Sequence, residues 1–97
     1  MSSLAPEHLE KMRTQIRGWI ASEGGSVTPG SVFKLVTTCM KCAEEIVQEK
    51  GKGSYKKDLV ITAIEIALEE THNDDEAVLS VLRTVVPVAM DAMVDDE

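Results

Sequence analysis

The chain has 97 residues, a formal net charge of −7 and a 43% hydrophobic share, with only three aromatic residues, Trp19, Phe33 and Tyr55. This is enough chain for a single domain spanning residues 1–97 around one modest core. So few aromatics exclude a sheet that stacks bases, and the negative balance opposes a polyanion as the main partner.

The charge is unevenly spread. Residues 1–57 hold nine Lys/Arg against six Asp/Glu, a net of +3, whereas residues 58–97 hold eleven Asp/Glu against the single Arg83, a net of −10. The longest apolar run, Val85 to Met90, contains Pro87 and ends at Asp91. It is too short to cross a bilayer, so no membrane partner is expected. The start, Met1 to Glu7, lacks a basic region followed by an apolar one and does not read as a secretory signal. Two cysteines three residues apart cannot staple distant parts of the chain. An intracellular, cytoplasmic setting is the expectation.

In chain order, the first helix is predicted from Pro6, which suits the first helical position, to about Ser22. Leu9, Met12, Ile16, Trp19 and Ile20 form its apolar stripe, and Gly24-Gly25 supplies a left-handed stop. The second helix is predicted from an N-cap at Ser31 to Glu49, with Val32, Leu35, Val36, Cys39, Ala43, Ile46 and Val47 inward. Lys50-Gly51-Lys52-Gly53-Ser54 breaks the period, and Ser54 can cap a third helix. Its stripe (Leu59, Val60, Ala63, Ile64, Ala67, Leu68) is widened by Ile61 and Ile66, which predicts the most enclosed helix of the four. Thr71 to Glu76 reads as a loop whose acids favour the next helix N-terminus. The fourth helix puts Val78, Leu79, Leu82, Val85, Val86, Ala89, Met90 and Met93 on one side, with Pro87 expected to kink or split it. The fold class is therefore all-α, a compact four-helix bundle whose short connections favour antiparallel neighbours.

Cys39-Met40-Lys41-Cys42 has the spacing of half a zinc site or a redox dithiol. However, Cys39 falls inside an apolar stripe, the pair lies within a helix, and His8 and His72 bear no spacing relation to it. Core packing is the reading, with no metal and no cofactor expected. The lysine-rich linker (Lys50, Lys52, Ser54, Lys56, Lys57) leads into a helix start and is the candidate anion-binding surface, though not a P-loop. The competing account is a solvated turn whose lysines pair with Glu44, Glu45 and Glu49. A helix-turn-helix reader is disfavoured, because the third helix continues as Asp58, Glu65, Glu69 and Glu70 and lacks residues that read base edges. No serine or cysteine has a histidine partner, and the acids at 74–76 and 95–97 lack the EF-hand order, so no enzyme is expected and no catalytic residue is named. In the fourth helix, Val81 and Val88 lie off the main stripe. Together with Met90 and Met93 they make more apolar surface than one small core needs, which marks an interaction face.

The run from the glycine-containing basic linker through Lys56-Lys57-Asp58-Leu59-Val60-Ile61 to Val85-Val86-Pro87-Val88-Ala89-Met90-Asp91-Ala92-Met93-Val94 resembles a group of short all-helical proteins encoded by large DNA viruses of eukaryotes. The resemblance covers about residues 50–94. It implies a viral origin, as a virion component or a protein acting in the infected cell. That group has no established activity, so no residue role is carried over. The functional expectation is a structural or protein-interaction component that self-associates or binds a protein partner through the fourth helix. The alternative is anion or nucleic-acid binding at residues 50–57.

Overall fold

A computed structural model describes residues 4–48 and 53–94, with side chains described to Val88. Within these residues the chain is all helix and loop: α1 (Pro6–Ser22), a 3-10 turn (Pro29–Ser31), α2 (Val32–Ile46), α3 (Gly53–Glu70) and α4 (Glu76–Val94). The four helices pack into a compact bundle with no strand among the described residues.

α1 follows the predicted bounds, with extended Ala5 before it and Pro6 at its first position. Its buried residues, Met12, Ile16 and Ile20, recur every four residues. α2 begins at Val32, and the Ser31 hydroxyl turns back to serve the 3-10 turn, accepting from the Thr28 amide at 3.0 Å instead of capping α2. α2 also stops short of the predicted Glu49. Val47 takes extended backbone, keeps its amide on the Ala43 carbonyl (2.8 Å) and buries its side chain. Gly53 is already helical, so Ser54 stands in the first turn of α3 instead of before it. α4 runs as one element through Pro87. Its described buried residues are Val78, Leu82 and Val86, while Leu79 and Val85 are only half-buried.

One core cluster joins all four helices. α2 and α3 form its inner pair: they touch each other, and each touches both α1 and α4. Among the described residues α1 and α4 do not meet. α3 is the most enclosed helix, burying Leu59, Val60, Ala63, Ile64, Ala67 and Leu68 as expected from its wide stripe. The most extensive contacts, α1 with α3 and α2 with α4, join helices that are not successive in the chain. Ties at both ends show that α1 and α3 point the same way. At their starts the Tyr55 hydroxyl accepts the Ala5 amide (2.9 Å) and lies 2.7 Å from His8 Nδ1. At their far ends Asn73 bonds residues 25–27.

Those far ends share one design. α1 closes with the Gly24 amide on the Ala21 carbonyl and the Gly25 amide on Ile20, and Gly24 has φ 88°. α3 closes with the His72 amide on Glu69 and the Asn73 amide on Leu68, and His72 has φ 60°. Both are Schellman stops, but α3 places a histidine where glycine is free of strain. Asn73 then knots the two loops together. Its Oδ1 accepts the Val27 amide at 2.9 Å, and its Nδ2 donates to the Gly25 carbonyl and to Thr71. Arg13 of α1 further bridges Glu10 and Glu70.

Two substitutions at this end should move stability in opposite directions. Asn73→Ala leaves the amide of buried Val27 without its acceptor and should cost about 1–3 kcal/mol. His72→Gly relieves the left-handed residue and should gain about 0.5–1 kcal/mol. Urea denaturation of the two variants beside the parent checks both signs.

Candidate functional site

The feature that core packing leaves unaccounted for lies where the start of α2 meets α4. Phe33 is the second residue of α2, beside buried Val32, and its ring is turned away from the core with 62% of its surface exposed. Across from it Val88 of α4 is 72% exposed. These are the only large hydrophobic side chains so exposed among the described residues. With Thr84 and Val85 they line an open, almost wholly apolar recess of about 220 Å³. Val81, one helical turn before, is half-buried against the core. Ala77, Val81, Thr84 and Val88 follow one another at helical spacing, giving a flank of α4 without a charged residue. The side chains of Met90 and Met93, the other two residues expected at the interaction face, lie outside the described residues. Phe33 was missed by sequence reasoning. The available signal was its place one residue off the stripe that starts at Val32, the same kind of signal that marked Val88.

The candidate anion surface is divided. Lys50 and Lys52 lie outside the described residues, Ser54 is exposed and Lys57 is half-buried. Lys56 is the one buried charged side chain among the described residues, and its Nζ lies 3.4 Å from Glu44 Oε1 near the end of α2. Its charge is thus already countered within the bundle, in the pairing expected of a solvated turn's lysines. A second, shallower recess of about 240 Å³ lies between α1 and the end of α2, lined by Glu10, Lys11, Thr14, Gln15 and Ile46. Its long polar side chains offer no convergent chemistry.

The cysteines sit as the α2 stripe places them, Cys39 buried and Cys42 half-buried, both as free thiols. Burial pushes the Cys39 thiol up far beyond the ordinary range, and proximity to Cys42 adds to this. Burial also raises Cys42, with a further contribution from the charge of Glu45. Both effects favour the neutral thiol over the thiolate that would attack a disulfide or ligate a metal. His8 is held by Tyr55 at the start of α3, while His72 stands exposed beyond its far end, so the two histidines do not converge with the cysteines. No group of three or more His, Cys, Asp or Glu side chains able to hold a metal is found among the described residues, and none of their helices is long and apolar enough to cross a membrane.

No family model, no curated protein and no solved structure matches this chain.

The thiol chemistry gives a direct test. At pH 8 a chromogenic disulfide reagent should leave Cys39 unreacted in the folded chain and titrate both thiols once the chain is unfolded in guanidinium. Rapid modification of both cysteines in the folded protein would contradict this.

Proposed function

We propose that this chain is a non-enzymatic structural or protein-interaction component that binds another protein chain, in the first place a second copy of itself, through the apolar flank of α4. The observation that carries this reading is the pairing of Phe33 and Val88, two large side chains exposed on different helices yet lining one apolar recess. Exposed apolar residues scattered singly need no explanation, whereas an apolar recess between two elements fits an interface.

Magnitudes decide what kind of association to expect. Covering Phe33 and Val88 removes roughly 200 Å² of apolar surface per chain, worth about 5 kcal/mol at 25 cal/mol/Å². Association costs about 4–15 kcal/mol, so this recess alone sustains only weak binding. Further contact must come from the flanking residues, including Met90 and Met93, and from the opposite charges of the two chain halves. In this reading α4 is bent at Pro87, which sets the angle of its last turns against a partner. The resemblance of residues 50–94 to short helical viral proteins fits an assembling component, cytoplasmic or virion-associated. Anion binding at the 50–57 linker is the second reading. It is the weaker one, because Lys56 is buried against Glu44.

Light scattering on a sizing column tests the proposal. The parent chain should exceed single-chain mass at low salt and approach it at high salt. Val88→Ser should return the chain to single-chain mass at low salt while lowering the melting temperature little, because Val88 is already exposed. If Val88→Ser unfolds the chain, the residue belongs to the core and the proposal loses its surface.

A further inference from the structure

The charges around the recess narrow down what it can accept, and this inference rests on the self-association reading above. On α2, Lys34 follows Phe33 directly, and Lys41 stands seven residues further on the same face. Both are exposed, and neither is in an ion pair among the described residues. On the α4 side the flank of Ala77, Val81, Thr84 and Val88 carries no charge at all. The groove between α2 and α4 is therefore apolar at its floor, basic along its α2 rim and neutral along the other. Its complement is a segment with apolar side chains interleaved with carboxylates.

The chain contains two acidic segments. The turn from Glu69 to Glu76 has five carboxylates but only Thr71, His72 and Asn73 between them, with no apolar anchor for the groove. The segment Met90-Asp91-Ala92-Met93-Val94-Asp95-Asp96-Glu97 has four carboxylates together with Met90, Met93 and Val94. We propose that the α2–α4 groove of one copy receives the acidic segment 90–97 of a second copy, head to tail, with Met93 and Val94 over Phe33 and Val88 and the carboxylates toward Lys34 and Lys41. Two different surfaces then meet at each contact. Such a heterologous contact repeats from copy to copy into a ring or an open chain, where a two-fold contact would stop at a dimer. Val81 and Val88 act on the receiving side, Met90 and Met93 on the donated one.

Complementation between two full-length variants tests this. Phe33→Ser combined with Val88→Ser breaks the groove and leaves the segment intact; Asp95→Lys combined with Asp96→Lys does the reverse. All four positions lie at exposed side chains or beyond α4, and circular dichroism on each variant verifies that it folds. Sedimentation velocity at low salt should give single-chain mass for either variant alone. An equimolar mixture should give twice that mass and nothing larger, because one segment finds one groove and the series ends there. Association of the parent chain with no pairing in the mixture would overturn the head-to-tail contact and leave groove-to-groove self-association standing. Unchanged association of the Asp95→Lys, Asp96→Lys variant would overturn the role of the segment. A parent chain that remains single at every concentration would overturn this inference together with the self-association reading.

Discussion

The contact on which the rest of the structure depends is the inner pairing of α2 with α3. Each of these helices touches both of the others, and α1 and α4 lie outside on opposite sides without meeting. An inner helix must be apolar around much of its circumference, and α3 meets that demand with six buried aliphatic side chains spread over a wide arc. An outer helix is covered on one side only. α4 satisfies its share of the core with Val78, Leu82 and Val86, so any further apolar residue it carries is turned outward. Val88 is exposed because the geometry has no more core to offer it.

The two outer helices are held in different ways. α1 is tied to α3 by polar contacts at both ends, through Tyr55 with Ala5 and His8 and through Asn73 with Gly25 and Val27. Among the described residues no side-chain hydrogen bond runs from α4 to another element, and its one such bond, Thr84 to the Ser80 carbonyl, is local. α4 is thus held by apolar packing, which is non-directional and tolerates a partner added on the open side. The same helix carries the uncharged flank and the apolar-acidic end that the functional reading uses.

Much of this was legible in the sequence, and the exceptions have identifiable causes. Helical spacing marked Met12, Ile16 and Ile20 on α1 and the broad stripe of α3, because periodicity reports directly which face is buried. Pro6 and Gly24 marked the ends of α1 through backbone geometry that few other residues share. Val88 stood out by lying off its stripe. Asn73 could not be picked out, since its work is done by hydrogen bonds to a loop some 46 residues away and leaves no local pattern. Lys56 looked like part of a solvated cluster, and its burial depends on the register that brings Glu44 of α2 beside it. Short connections predicted antiparallel neighbours, but connection length constrains direction and not which helices pack most closely, so the parallel pairing of α1 with α3 stayed hidden.

Phe33 is the sole phenylalanine in the chain, so a fluorinated phenylalanine introduced during expression gives one fluorine resonance located at the proposed interface. Following that resonance over a concentration series at low salt is the most direct test that the groove is a contact surface. The account predicts a shift or broadening that grows with concentration and is reversed by salt. A sharp line at constant position across the series would mean that nothing covers Phe33, and would contradict it.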